Sequence, residues 1–278
     1  HIVVIEYRNR YELIHIDLKM NTEHTHSWQG VAGCYVTAWT QSVLDVWVAD
    51  AFGFYAAQLG QNQRIHALQH NRCSERWAVE LGEAHHHGQD RHEIMRVDVG
   101  DFTVLPFASD SMDLLVLPHT LENHPDPHAV LREAYRVLRP EGKMIITGFN
   151  PFSLWGCKAM ARRWLGKKWW AYEQETLHVG RLKDWLKLFN CDIVQGKFGC
   201  YAPFVKSEPW LRRWSWLEKA GDRWWGMAGG VYAIMAVKKI YSPTLVGLIN
   251  EKKNAPKWVA QPALSVESVD KMVTQKKT

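Results

Sequence analysis

Two polar side chains follow apolar runs, where the ends of buried strands would present them to a ligand. His119 comes shortly after the apolar run 112–117, and Asp101 comes shortly after the run 94–99. Histidine titrates near neutral pH, so His119 could act as a general base, or it could simply cap the end of its strand. Asp101 could bind a polar ligand, or it could form the turn after its strand. Both are candidate site residues.

A run of three histidines, His85 to His87, raises the question of a metal site. Three adjacent residues cannot all face one ion without a special loop, and no cysteine pairs with them. We therefore predict no metal centre. The five cysteines contain no CxxC pair and, with no clean signal segment at the start of the sequence, they indicate a reduced, intracellular protein. We expect it in the cytoplasm.

The elements that must position these residues alternate between helices and strands. Apolar residues at helical spacing predict a helix over 29–50, and short apolar runs predict strands at 54–59, 77–81 and 94–99. A further helix is predicted near 62–72. The pattern is clearest over 112–149, where a buried strand, a helix and a second strand form a parallel crossover unit.

The helix of this crossover has recognisable ends. Asp126 is the predicted N-cap and Pro127 the first helical residue, and residues 140–142 are predicted to end the helix before a strand at 143–149. Farther along the chain, the sequence predicts a helix at 180–189 and strands at 191–198 and 231–237.

Two segments, 155–170 and 210–225, interleave tryptophan with arginine and lysine. They could be amphipathic helices that cover the site, surfaces that lie on an anionic membrane, or platforms that stack on nucleic acid bases. They are short and mixed in charge, which disfavours a dedicated nucleic-acid groove. Peripheral membrane contact through a Trp/Arg-rich insert at about 200–228 therefore stays open.

Composition sets the outer limits. The chain has 278 residues, of which 46% are apolar and 23% charged, and this balance excludes disorder throughout. A formal net charge of +5 selects no partner by itself. We expect residues 1–28 to be poorly ordered, a domain over 29–240 and a disordered basic tail over 241–278. One interpretation of the first nineteen residues is that natural translation starts near Met20.

The segment 100–150 resembles the type 11 branch of class I S-adenosylmethionine-dependent methyltransferases. The matching pieces, in the order and spacing of that family, are Gly100-Asp101, Leu105-Pro106-Phe107, the acidic turn and apolar strand at 113–117, Asp126-Pro127 and the stretch 136–142. The continuation GFNPFSLWG and the later Trp-rich segment are similar to an atypical proteobacterial subgroup. The resemblance implies an α/β fold: a Rossmann-like, doubly wound, mainly parallel seven-stranded sheet with an N-terminal helical cap and a Trp-rich insert before the last strand.

The resemblance also implies S-adenosyl-L-methionine as cofactor, bound beyond the carboxyl ends of the strands. The family's Gly-Asp pair holds the adenine, which implies Asp101, with Phe102 packed on the adenine face. Pro118 and His119 would lie near the methyl group, and the resemblance thus places His119 as the catalytic base.

The first cofactor loop of the family usually reads Asp/Glu-x-Gly-x-Gly-x-Gly. Here it is reduced to one glycine, Gly60, with Gln58 in place of the acid, so Leu59 and Gly60 are the predicted loop contacts. By analogy with dinucleotide-binding folds, Glu80 is the predicted ribose ligand and Glu83 the second choice.

Two functions follow from the resemblance and from this departure. The first is methyl transfer from S-adenosylmethionine to an unidentified small-molecule or lipid-like acceptor. The alternative is a catalytically degenerate methyltransferase-fold protein with a binding or membrane-associated accessory role, which the reduced loop favours. The sequence indicates neither the acceptor nor the oligomeric state.

Overall fold

The computed structural model of the chain describes residues 28, 30–82, 94–165, 176–203, 221 and 227–239. The chain divides into two units, His1–Ile240 and Tyr241–Thr278, and all described residues belong to the first unit. The predicted poorly ordered start, apart from Trp28, the predicted tail and the histidine run therefore lie outside the described residues. Most of the predicted insert at about 200–228 does so as well.

The described residues form seven strands and four α-helices. The strands are β1 (Tyr55–Leu59), β2 (Glu75–Leu81), β3 (Ile94–Val99), β4 (Met112–Pro118), β5 (Leu138–Phe149), β6 (Cys191–Gly199) and β7 (Val231–Lys238). The helices are α1 (Val31–Ala49), α2 (Pro127–Val137), α3 (Leu154–Trp164) and α4 (Val179–Leu188). Two short 3-10 helices, Ala67–His70 and Leu121–Asn123, lie between strands.

All seven strands join one sheet in the order β3-β2-β1-β4-β5-β7-β6. The first five strands of this order are parallel, whereas β7 pairs antiparallel with both β5 and β6. The sheet therefore has the predicted form, seven strands and mainly parallel, with one antiparallel hairpin at its edge. The chain reverses strand order beside β1 and β4, which is where open α/β sheets bind their ligands.

Helices cover both faces of the sheet, so the central strands are apolar on both sides. In β4, Leu114 and Val116 pack against the α1 side, in a cluster that includes Leu44 and Val48. The alternate residues of β4 pack on the other side with side chains of α2 and α4, namely Leu115, Leu117, Val130, Leu131, Ala134, Leu182 and Leu186. The predicted N-terminal helix is thus a layer over one face of the sheet.

The predicted cap of α2 is confirmed. The Asp126 side chain accepts a hydrogen bond from the Ala129 amide at 3.0 Å, and Pro127 is the first helical residue. The predicted end of this helix is wrong, because the helix stops at Val137 and β5 begins at the next residue. Leu138 pairs with Met112 before the register shifts, which makes residues 138–142 part of the strand.

The crossover from β1 to β2 also differs from the prediction. A helix was expected near 62–72, but the described chain has turns and the single 3-10 turn Ala67–His70 in that region. No α-helix N-terminus therefore follows the loop after β1. The reason lies in contacts made by the side chain of Gln58, described below.

Candidate functional site

A solvent-open cavity of about 260 Å³ lies at the carboxyl ends of β1, β2 and β4. Its volume is slightly below the range of about 300–1,000 Å³ that is typical of small-molecule sites. The residues that line it are Gly60, Gln61, Gln63, Arg64, Glu80, Leu81, Phe102, Thr120, Asn123 and His124. It stands at the switch point of the sheet, the position in this fold class at which ligands bind.

The loop after β1 is held by the side chain of Gln58 from beneath. Gln58 is only 2% exposed, and its amide nitrogen donates to the carbonyl oxygens of Gly60 at 3.1 Å and Ile65 at 2.7 Å. Its amide oxygen accepts from the Ala67 amide at 2.9 Å. The carbonyl and amide partners fix which end of the side chain donates. These hydrogen bonds hold the loop in a non-helical conformation. The residue at the family's acidic position therefore binds the loop backbone.

Gly60 makes the turn out of β1 with a φ of +75°, a conformation that side-chain-bearing residues rarely adopt. Its amide donates to the Val79 carbonyl at 2.8 Å. A Cβ at this position would lie 3.4 Å from the Phe102 ring and 3.6 Å from the Thr120 hydroxyl oxygen. The absence of a side chain therefore leaves the space beside Phe102 and Thr120 open at the end of β1.

Glu80 and Asn62 connect the loop to the end of β2. The Glu80 carboxylate accepts a hydrogen bond from the Asn62 amide at 3.1 Å, and the Asn62 side chain donates to the Val79 carbonyl at 2.9 Å. Glu80 also lines the cavity. Glu83, the second choice for a ribose ligand, lies outside the described residues.

Phe102 and Asp101 have different environments. Phe102 is 4% exposed and lines the cavity beside Gly60. Asp101 is exposed and does not line the cavity; its carboxylate accepts from the Thr103 amide at 2.7 Å and lies 2.9 Å from His124 Nε2. The hydrogen bond from Thr103, followed by the contact with His124, lowers the pKa of Asp101 below its usual value. Of Asp101 and His124, it is His124 that lines the cavity.

His119 is fully buried and adopts a φ of +52°. Its Nδ1 lies 3.2 Å from the Glu122 carboxylate and its Nε2 lies 3.4 Å from the Thr40 hydroxyl. The rings of Trp28 and Phe149 pack on it at centroid distances of 5.3 and 4.7 Å. The imidazole therefore belongs to an internal polar cluster and does not line the cavity.

Glu122 is the acidic centre of this internal cluster. It is 6% exposed, and its second oxygen accepts a hydrogen bond from the Phe149 amide. Burial, and then the negative charge of Glu122, raise the pKa of the Tyr232 hydroxyl well above its ordinary value. Tyr232 stays a hydrogen-bond donor, to the Leu177 carbonyl at 3.2 Å.

Leu59 and Pro118 are buried at the ends of β1 and β4. The Leu59 carbonyl accepts a hydrogen bond from the Thr120 hydroxyl, which ties the two strand ends together. Neither side chain lines the cavity, so their position supports its floor. Of the seven predicted site residues, the structure brings Gly60, Glu80 and Phe102 to the cavity wall.

Arg64 is the charged residue among the cavity residues that the sequence did not predict. It stands four residues after Gly60, where the last glycine of the family's loop would be, and it is exposed beside Gln61 with an Nη1 to Oε1 distance of 3.3 Å. The sequence feature that could have identified Arg64 is a cation at the position where the family's loop has its last glycine. With His124, Arg64 brings a basic group to a wall whose acid is Glu80.

The wall residues fit the nucleoside half of S-adenosylmethionine. A carboxylate at the end of β2 suits paired ribose hydroxyls, and the Phe102 ring beside a bare glycine offers an apolar surface to a purine. The amino-acid half meets different chemistry from that of the family, because Asn62 and Arg64 replace glycines and no α-helix N-terminus follows. Arg64 is the group on that side which complements a carboxylate.

Comparison with known proteins also indicates a methyltransferase domain. Residues 53–146 match the family model described as a methyltransferase domain. The protein YafS of Escherichia coli K12, described as uncharacterized, is 31% identical over 153 residues, which cover 55% of this chain and 59% of that protein. A demethylmenaquinone methyltransferase of Lactobacillus johnsonii is 32% identical over 89 residues, or 32% of this chain and 35% of the relative. The chain thus spans less than two thirds of the length of these relatives.

Two solved structures share the fold. One is the protein complexed with the Trm112 methyltransferase activator of Haloferax volcanii, with a TM-score of 0.51, 15% identity and coverage of 76% of this chain and 93% of that one. The other is a SAM-dependent methyltransferase of Thermotoga maritima, with a TM-score of 0.50, 15% identity and coverage of 75% and 94%. At such identities the likeness concerns the fold alone.

Proposed function

We propose that this chain methylates a small-molecule or lipid-like acceptor. The premise is that residues 53–146 form a class I methyltransferase domain whose cofactor is S-adenosyl-L-methionine. The observation that carries the proposal is the cavity at the carboxyl ends of β1, β2 and β4, which joins the Glu80 carboxylate, the Phe102 ring and the side-chain-free Gly60. A carboxylate suits ribose hydroxyls and a glycine allows close approach at the switch point of such a sheet, and the Phe102 ring adds an apolar surface for the base.

Three residues would bind and orient the cofactor. Glu80 accepts hydrogen bonds from the ribose hydroxyls, Phe102 packs on the base, and Arg64 pairs with the carboxylate of the methionine part. When bound, the cofactor supplies an electrophilic methyl group on a sulfonium. The protein's task is then to hold the acceptor in line with that methyl group and to exclude water.

His119 is proposed as the base for an acceptor that must lose a proton. Glu122 holds Nδ1, whereas the contact that the described residues make with Nε2 is the long one to Thr40, so Nε2 is the atom proposed to take a proton. The Trp28 ring covers this imidazole in the described arrangement. The base therefore needs a movement of Trp28 when the acceptor enters.

The acceptor class is supported by two features. The similarity over 89 residues to a demethylmenaquinone methyltransferase favours a ring-bearing, lipid-like molecule. The aromatic surroundings of His119, with Phe149 and Trp28 in contact, would suit a flat apolar ring better than a charged acceptor.

The second candidate function is that of a catalytically degenerate methyltransferase-fold protein with a binding or membrane-associated accessory role, which does not need the cofactor. It is favoured by Asn62 and Arg64 at glycine positions and by the 3-10 turn that stands where a helix would follow the loop. The two functions differ in a measurable way, because the catalytic one requires the cavity to bind the cofactor.

The test is calorimetric titration with S-adenosylhomocysteine and, separately, with 5′-methylthioadenosine, which lacks the amino-acid part. Arg64→Gln should weaken binding of the first ligand about three- to fivefold, the effect of one exposed ion pair, and leave the second unchanged. Arg72→Gln is the matched control, since Arg72 is exposed and lies over the Phe52 ring outside the cavity. An equal loss of affinity for both ligands would show that Arg64 does not bind the carboxylate of the methionine part. No binding of either ligand by the wild type would favour the second function.

A further inference from the structure

Helix α3 presents large apolar side chains on the side that faces away from the fold. We call this its outer face, defined by Leu154, Cys157, Met160, Trp164 and Leu165, the last residue lying just past the helix end. The helical period places the first four of these residues along one side, since they recur at intervals of three or four, and Leu165 follows directly after Trp164. The exposed fractions of the four large apolar side chains run from 59% for Met160 to 89% for Trp164.

The inner face explains why the helix holds this orientation. Trp155 and Ala159 are 2% and 8% exposed and belong to the cluster that joins α1 to the ends of β5 and β7. The Trp155 indole donates to the Ala202 carbonyl at 2.7 Å, and a Cβ on Gly156 would lie 2.0 Å from the Pro151 carbonyl oxygen. A rotation that buried the outer face would break these contacts.

Single exposed apolar residues are ordinary, but a row of them on one helix is not. Phe152, 67% exposed, extends the row on the N-terminal side of α3. Leucine, methionine and tryptophan side chains in such a row lose contact with water when a second apolar phase covers them. Covering the outer face with an apolar phase would therefore be favourable.

Charge indicates which partner fits. Residues 151–172 contain five lysines or arginines and no aspartate or glutamate, and Lys158 is exposed on α3 itself. An apolar helical face with basic residues and tryptophan is the pattern that settles in the headgroup region of an anionic bilayer. Among the described residues, no helix is long and apolar enough to cross a membrane.

We propose that α3 docks the protein on an anionic lipid surface, with its outer face in the headgroup region. The helix begins shortly after the carboxyl end of β5, at the same edge of the sheet as the cavity. This docking rests on the outer face of α3 and on the basic residues of 151–172, and it does not require the proposed methyl transfer. If both hold, the edge that binds the cofactor faces the phase in which a lipid-like acceptor dissolves.

Cys157 allows a direct test, because it is the one exposed cysteine of the five in the chain. The protein is labelled there with an environment-sensitive thiol dye and mixed with vesicles of phosphatidylcholine, alone or with about a third phosphatidylglycerol. We expect rapid labelling without vesicles, a blue shift with anionic vesicles only, and its reversal by raised salt. Neither cofactor nor acceptor is present, so the result is independent of the proposed function.

Unlabelled variants then assign the contact in a flotation assay. The double variant Trp164→Ser with Leu165→Ser should partition onto anionic vesicles about tenfold more weakly. Leu188→Ser is the matched control, since Leu188 is 76% exposed on α4, and its partitioning should match the wild type. Circular dichroism checks that all variants are folded.

Three outcomes would overturn the proposal. Slow labelling of Cys157 without vesicles would mean that another part of the chain covers the outer face. Equal partitioning onto neutral and anionic vesicles would remove the role of charge. An equal loss in the Leu188→Ser control would show that α3 is not the contact.

Discussion

The side chain of Gln58 offers the sharpest test of how the cofactor loop is built. Gln58→Glu preserves the shape of the side chain and still accepts from the Ala67 amide, but it removes the donor to the Gly60 and Ile65 carbonyls. A carboxylate would then face two carbonyl oxygens in a site that is 2% exposed in the wild type. Restoring an acid, the usual residue of the family, should therefore destabilise this protein.

The magnitude follows from those contacts. Two donated hydrogen bonds contribute about 1 kcal/mol each, and the two carbonyl oxygens left without a donor add a desolvation penalty. Burial of the unpaired carboxylate adds to this loss, and the introduced group relieves part of it by taking up a proton. We expect a loss of about 3–5 kcal/mol in the free energy of unfolding at about pH 8.

The sign of the pH dependence is fixed by the same geometry. Burial and the facing carbonyls raise the pKa of the introduced carboxyl in the folded state above its unfolded value of about 4.3. Between those two pKa values the folded state binds the extra proton, so the stability of the variant falls as the pH rises. The loss should be small near about pH 5 and complete above the folded-state pKa.

The assay is urea unfolding, followed by circular dichroism at about pH 5 and about pH 8, with each variant referred to the wild type at the same pH. Gln69→Glu is the matched control, because Gln69 is exposed on the 3-10 turn and undergoes the same change of charge. If Gln58→Glu unfolds at the same urea concentration as Gln69→Glu at the higher pH, Gln58 does not hold the loop.

Two further predictions concern the strand ends. Gly60→Ala should lower the free energy of unfolding by about 1–2 kcal/mol, because a φ of +75° strains any residue with a Cβ, and should weaken binding of S-adenosylhomocysteine. Gly100→Ala, which meets no atom within 4 Å, is its control in thermal unfolding and calorimetry, and equal effects would contradict the role of Gly60. On the proposed methyl transfer, with a demethylated quinol as the probe acceptor, His119→Gln should reduce transfer of labelled methyl groups about a hundredfold at unchanged affinity for S-adenosylhomocysteine; a parallel loss of that affinity would indicate a purely structural role.

Local sequence patterns determined the central crossover. The continuous apolar run of β4 and the helically spaced apolar stripe of α2 identify their elements without tertiary information. A strand buried on both faces is apolar throughout, whereas a helix buried on one face has apolar residues every three or four positions. Asp126 and Pro127 likewise mark the start of α2 through bonds made within one turn. The positions of Gly60 and Glu80 at strand ends followed from the same strands.

Side-chain contacts, which apolar periodicity does not report, decided the rest of the site. The predicted helix after β1 does not form, and the Gln58 side chain instead binds the backbone at Gly60, Ile65 and Ala67, between two and nine positions away. His119 turns into the interior through contacts with Thr40, distant by 79 positions along the chain. Periodicity reports which faces are apolar, whereas the direction of a polar side chain at a strand end depends on partners that only folding brings together.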